Sequence, residues 1–197
     1  MQPLTKKILA YTQGLSNGTP VAAKSLLEFG ERAAVDQALS RLASRGQLIR
    51  AGRGVYLSPV TSRFGTRAPS IEQALAAIAT QKGEVIVPNG AASANKLGLT
   101  TQVPVRSVYL TSGRSRTLKL GAQTVELRQA PRWQLTLAHR PAGQVIRALA
   151  WLGPEKAEEA LAKLKGKFPA SLFSELLTAA PQLQTWLAQI IRRSLNG

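Results

Sequence analysis

The heptapeptide Arg50-Ala51-Gly52-Arg53-Gly54-Val55-Tyr56 constrains this chain more than any other stretch. Two glycines bracket one arginine, with Leu48 and Ile49 before them and Val55 and Leu57 after. Glycine tolerates the positive φ of a short turn, and apolar arms can share one face. The segment therefore predicts a tight β-hairpin tipped by Arg53. It directly follows the amphipathic residues 31–48, so the hairpin is attached to a helix.

Upstream, Leu4, Ile8, Leu9 and Leu15 fall on one helical face of a first segment. Ser16-Asn17-Gly18-Thr19-Pro20 reads as a turn, and residues 21–28 as a short second helix carrying Val21, Leu26 and Leu27. The third helix, residues 32–45, has Val35, Ala38, Leu39 and Leu42 as its apolar stripe and Gly46 in the place of a C-terminal cap. Its other face holds Ala33, Gln37, Ser40, Arg41 and Ser44. Small residues there permit close approach, and Arg and Gln suit base edges in a major groove. Lys24 and Ser25 stand early in the second helix, where backbone N–H groups and a positive charge can hold a phosphate. Arg32 lies beside the polar face, and Arg50 and Arg53 bracket the hairpin tip, suited to backbone or minor-groove contact. Helices followed by a basic-tipped hairpin make the outline of a winged helix-turn-helix, with double-stranded DNA as the first partner to consider.

Charge points the same way. Lys and Arg number 26 against 10 Asp and Glu, a formal net charge of +16. The excess runs +7, +6 and +3 over residues 1–70, 71–140 and 141–197. A basic surface favours a polyanionic partner. RNA or ribosome binding, lipid headgroups and simple solubility share that charge, and winged helices also serve as protein-interaction adaptors. Arg114, Arg116, Lys119, Arg128 and Arg132 form a candidate second basic face, able to meet further DNA, a protein partner or that partner's nucleic-acid substrate.

Other classes find little support. Cysteine is absent, which removes disulfides, thiolate metal sites and thiol nucleophiles. The single histidine, His139, has no orienting carboxylate nearby in sequence. No G-x-x-x-x-G-K-[ST] or G-x-G-x-x-G occurs. Glu155, Glu158 and Glu159 sit at helical spacing from Lys156, Lys163 and Lys165, the pattern of an ion-paired solvated face. No catalytic residue, metal or cofactor is therefore expected. Trp133, Trp151 and Trp186 read as core residues, with Trp133 beside Arg132 the one placed to stack on a base or a partner. No apolar run reaches the roughly 18 residues of a membrane span. Met1 to Ala10 lacks the apolar core of a secretory leader, so a cytoplasmic protein is expected.

The expected organisation is α+β: a winged helix-turn-helix over residues 1–60, a linker at 61–69, and a mixed α/β domain over 70–197 with a helical part at about 142–195. Residues 58–69 are rich in Pro, Ser, Thr and Arg; they read either as a solvated linker or as an arm whose Arg63 and Arg67 track phosphates. Ser70 and Gln73 fit a capping box opening a helix to about Lys82. A strand at 84–87, a small-residue helix at 91–97 and a strand at 105–111 follow. Residues 117–120 and 125–128 pair as a hairpin, with Leu118 facing Leu127, Leu120 facing Val125 and Lys119 facing Glu126. Four helices, 142–152, 154–165, 169–179 and 181–195, complete the chain, with Pro154, Pro169 and Pro181 as their first residues.

The N-terminal helices ending in Arg50-Ala51-Gly52-Arg53-Gly54-Val55-Tyr56 resemble the AbiEi-type antitoxins of bacterial type IV toxin–antitoxin systems. Gly90-Ala91-Ala92-Ser93-Ala94-Asn95-Lys96-Leu97-Gly98-Leu99, then Val108-Tyr109-Leu110-Thr111, resemble their continuation. The hairpin from Leu118 to Arg128 with Ala130-Pro131-Arg132-Trp133 is similar to short AbiEi-like members. The resemblance covers residues 1 to about 140 and leaves the helical tail unassigned. It implies a repressor that binds inverted repeats in its own operon promoter, with DNA contacts at Arg32, Gln37, Arg41, Arg50 and Arg53 by position in helix and wing. It also implies a second domain that opposes a nucleotidyltransferase-type toxin, as in phage defence, without a stable complex.

Overall fold

The computed structural model describes residues 3–52, 54–63 and 65–196. It is a mixed α+β structure with helices at its N-terminus and a helical C-terminal part. In chain order the first elements are α1 (Leu4–Gln13), β1 (Pro20–Val21), a 3-10 turn (Ala23–Leu26), α2 (Arg32–Ser44), β2 (Ile49–Gly52), β3 (Val55–Leu57), β4 (Val60–Ser62), β5 (Gly65–Arg67) and α3 (Ile71–Lys82). Then come β6 (Ile86–Pro88), α4 (Gly90–Lys96), β7 (Ser107–Thr111), β8 (Arg116–Leu120), β9 (Gln123–Gln129) and a 3-10 turn (Arg132–Leu135). The tail holds α5 (Pro141–Leu152), α6 (Pro154–Lys165), α7 (Ala170–Ala179), a 3-10 turn (Ala180–Gln182) and α8 (Thr185–Asn196).

Two compact units are present, each discontinuous in sequence: Met1–Glu84 with Arg116–Glu126, and Val85–Ser115 with Leu127–Gly197. This differs from the expected segmentation at 60 and 70. Helix α3 lies in the first unit, and so do β8 and the start of β9. Net charge redistributes accordingly: the first unit carries +7 and the second +9.

In the first unit β1, β3 and β2 form an antiparallel sheet in that order. Val21 pairs with Tyr56, Ile49 with Leu57 and Arg50 with Tyr56, and the register slips before Gly52 meets Val55. Ile8, Leu26, Val35, Leu39, Leu42, Leu48 and Tyr56 make one buried cluster, so α1, the first 3-10 turn, α2 and the hairpin share a core. Tyr56 is part of that core rather than of a surface. Helix α2 ends on Gly46 at φ 70. There Gly46 N–H donates to Ala43 O at 3.0 Å and Gln47 N–H to Leu42 O at 2.9 Å, the paired bonds of a Schellman cap. Strand β8 packs on β2: a Cβ placed on Gly52 would lie 3.2 Å from Leu118 Cδ2.

Three local expectations are corrected. Residues 21–28 are not a helix; Pro20 and Val21 are drawn into the sheet, and only one 3-10 turn follows. The expected linker at 61–69 is largely a hairpin, β4 pairing with β5 from Val60↔Arg67 to Ser62↔Gly65. The Asn17 side chain pins it: Thr61 N–H donates to Oδ1 at 3.3 Å and Nδ2 donates to Thr61 O at 3.5 Å. Finally, Pro169 caps α7 from outside and Pro181 lies in a 3-10 turn, so the last helix starts at Thr185. The capping box opening α3 forms as expected, with Gln73 N–H donating to Ser70 Oγ and Ser70 N–H to Gln73 Oε1.

In the second unit β6 pairs antiparallel with β7, Val87 opposite Leu110, and β9 follows β7 in the sheet order. The small residues of α4 have a steric cause. A Cβ on Gly90 would lie 2.4 Å from Trp151 Cβ and 2.6 Å from the Arg147 carbonyl, so α4 crosses α5 at backbone distance. The core of this unit gathers Ala94, Val145, Ile146, Leu149, Leu161, Leu164, Leu176, Leu187 and Ile191 from five helices.

Candidate nucleic-acid interface

Helix α2 buries Val35, Ala38, Leu39 and Leu42, at roughly 100° per residue one stripe facing the core. The opposite arc is exposed throughout: Ala33, Gln37, Ser40 and Ser44 along its centre, Arg41 on one flank, Arg32 and Asp36 on the other. Gln37, Ser40 and Arg41 thus share one solvent face. Arg32 is tied down: its Nε donates to Asp36 Oδ2 at 3.0 Å, both side chains at least half exposed. Such an i,i+4 pair is worth a few tenths of a kcal/mol, about 0.3–0.5, so a phosphate can displace it. Asp36 was not among the expected site residues, although its place one turn after Arg32 is legible in the sequence.

Lys24 and Ser25 are exposed, but on the four-residue 3-10 turn, which has too few aligned N–H groups for the phosphate cradle expected of a helix start. Arg50 is exposed on β2 opposite Tyr56, which faces the core. The hairpin turns as expected, with Gly54 at φ 68. Arg53, the expected tip, lies outside the described residues. Arg45, the C-cap of α2, and Arg67 on β5 are exposed basic residues of the same unit. Arg45 had no pattern to single it out.

The five residues of the candidate second face do not belong to one unit. Arg116 and Lys119 lie on β8 in the first unit; Arg114, Arg128 and Arg132 lie in the second. Arg116 Nη2 donates to Glu84 Oε2 at 2.7 Å in a half-buried ion pair, where it serves the fold. Lys119 is exposed beside it, its neighbours Leu118 and Leu120 buried.

Of the three glutamates of α6, Glu159 is paired as its spacing suggested, whereas Glu158 pairs across to α8. Glu159 meets Lys163 at 2.7 Å, which holds its carboxyl below the usual range, and Glu158 meets Arg193 of α8 at 2.6 Å. His139 is exposed just before α5. Among the described residues no three His, Asp or Glu side chains gather as metal ligands, and no helix is long and apolar enough to cross a membrane. Trp133 and Trp186 pack partly buried against the core of the second unit, whereas Trp151 is 43% exposed. Sequence reasoning missed Arg147, which is only 3% exposed within the apolar stripe of α5. Its Nη2 donates to Ala138 O at 3.1 Å, while Nε and Nη1 have no acceptor among the described residues. Burial pushes its pKa down to about 10, which still leaves it charged at neutral pH.

Fold and surface thus define a strongly basic α+β chain of two units with an exposed polar helix face on the first. Residues 7–167 match a family of unknown function, DUF6088, and the chain belongs to that family. No curated protein matches it.

Proposed function

We propose that the protein is a sequence-specific DNA-binding repressor whose first unit is a winged helix-turn-helix. The observation that carries this reading is the solvent face of α2, with Gln37, Ser40 and Arg41 on one arc and the basic β2–β3 hairpin following at once. The order α1, β1, 3-10 turn, α2, β2, β3 with the sheet order β1-β3-β2 supports the winged form. In this reading α2 enters the major groove, Gln37 and Arg41 meet base edges, Ser40 allows close approach, and Arg50 and Arg53 hold the flanking backbone. Lys24, Ser25 and Arg32 serve as phosphate contacts at the margin.

The resemblance to AbiEi-type antitoxins extends the proposal: the repressor controls its own operon and opposes a nucleotidyltransferase-type toxin encoded with it. Fluorescence anisotropy with the upstream intergenic duplex, read over a salt series, tests the DNA half. Affinity for that duplex well above a scrambled one supports it. Equal affinity for both, or a preference for RNA of the same sequence, overturns it. Growth rescue on co-expression with the neighbouring toxin tests the antitoxin half.

A further inference from the structure

The segment 136–140 of the second unit is held in a costly shape. Leu137 has φ 52, the only non-glycine residue at positive φ among those described. A leucine there is strained, and such strain persists only where the surroundings impose it. Three contacts impose it. Gly143 of α5 leaves room for the Leu137 carbonyl, which a Cβ would approach to 2.0 Å. Arg140 N–H donates to that same carbonyl at 2.9 Å. The buried Arg147 donates to Ala138 O. A charged side chain taken out of water to fasten one loop is an expensive fastener for a connection that merely links two elements.

Two recesses, of about 490 Å³ and 360 Å³, share Thr136 and Gln182 in their linings, and Leu137 and Arg140 of the fastened segment border the second. The first is bordered by Trp133 and Leu135, with Arg132 at its edge. Trp133, partly buried, also packs against the core of the unit, a contact that restrains its ring. Arg132 is exposed and makes no ion pair among the described residues. The second recess is rich in acceptors. Ser174 and Thr178 spend their hydroxyl hydrogens on Ala170 O and Ser174 O, which leaves their oxygens free to accept, and Glu175 lies beside them paired to Arg140 at 2.7 Å.

We propose that these recesses form a nucleotide-binding site: the base stacks on Trp133, the ribose hydroxyls donate to the acceptors around Glu175, and Arg132 meets the phosphate. A restrained aromatic face, an acceptor-lined sugar pocket and a free guanidinium are complementary to those three parts in turn. The recesses are together large enough for one nucleotide. The site lies wholly in the second unit and goes beyond the DNA-binding reading, so either can fail while the other stands.

The test is titration of the full chain with AMP, followed by tryptophan fluorescence and by equilibrium dialysis. Saturable binding is expected, weakened at least about tenfold by Arg132→Ala and by Trp133→Leu, and unchanged by Trp151→Phe. Arg132 is exposed, so its variant keeps the fold; a thermal melt checks Trp133→Leu. Adenosine should bind with little dependence on Arg132, and inorganic phosphate should compete weakly. Competition by a short 5′-phosphorylated single strand assigns the site to a strand terminus; its failure to compete assigns it to free nucleotides. AMP that does not saturate by about 10 mM overturns the proposal, as does saturable binding untouched by both variants.

Discussion

Gly143 lies directly beneath the carbonyl of Leu137, so close that α5 and the segment before it meet backbone to backbone. Nothing larger than hydrogen fits at residue 143. Gly143→Ala should therefore destabilise the second unit by about 3 kcal/mol, through displacement of residues 136–138 or distortion of α5. Gly166 provides the contrast: it has ordinary helical φ and nothing within 4 Å of a Cβ. Gly166→Ala should be neutral or stabilising by about 0.5 kcal/mol, through lost freedom in the unfolded chain. Urea unfolding of the two variants checks both, and equal effects would refute the steric account.

Ser70 and Gln73 satisfy each other's backbone donors at the start of α3. Ser70→Ala should cost about 1 kcal/mol, and Ser70→Asp much less, since Asp also accepts from the Gln73 N–H. Thermal unfolding would show the ranking.

Arg147 gives a pH-dependent prediction. Burial lowers its pKa from the ordinary guanidinium value to about 10. Below about 10 the guanidinium is charged in folded and unfolded chains alike, and the fold bears the whole desolvation cost. Between the two values the unfolded chain binds the extra proton, so this group's contribution to stability rises with pH. Arg147→Met, of similar length and apolar, should match or exceed the wild type in stability by about 1 kcal/mol near neutral pH. That advantage should shrink as pH passes 10. The same variant loses the bond to Ala138 O, so amide exchange of residues 136–140 should quicken even as the whole becomes no less stable. A loss above about 2 kcal/mol would mean that the Ala138 bond outweighs desolvation.

For the proposed DNA interface, Arg41→Ala should cost about 1–3 kcal/mol of specific binding and relax preference at one base position. Uniform weakening on all duplexes would instead make Arg41 a phosphate contact. Arg53→Ala should weaken binding and flatten the salt dependence by about one unit in log–log slope. An unchanged slope removes Arg53 from the interface.

Local chemistry was legible wherever one short pattern decides the outcome. Gly46 closes α2, Ser70 and Gln73 open α3, and Leu118, Leu120, Val125 and Leu127 are all buried as their alternation implied. The failures share a different cause. The expected helix at 21–28 has Val21, Leu26 and Leu27 as its apolar residues, but sheet pairing takes Val21 and Leu27 is left 43% exposed. β5 is exposed along its whole length, so no apolar alternation marks the β4–β5 hairpin; Gly65 at φ 108 was its one local sign. The recesses around Trp133 join residues 132–140 to residues 174–182, a proximity that no local pattern encodes. Arg147 hid within an apolar stripe because a lone charge among Val145, Ile146 and Leu149 reads as the helix's wet side.

The packing of β8 on β2 bears on how the protein is made. The strands are separated by more than sixty residues, and closing so long a loop is entropically costly before any contact repays it. On the ribosome, the hairpin at residues 49–57 would emerge with one flank uncovered and wait for residues 116–126 before Leu118 could settle on Gly52. A gene fragment cut at Glu84 would leave the surface around Gly52 permanently without Leu118 over it. The shortest polypeptide that can complete the first unit therefore extends to Glu126, and must carry residues 85–115 along with it.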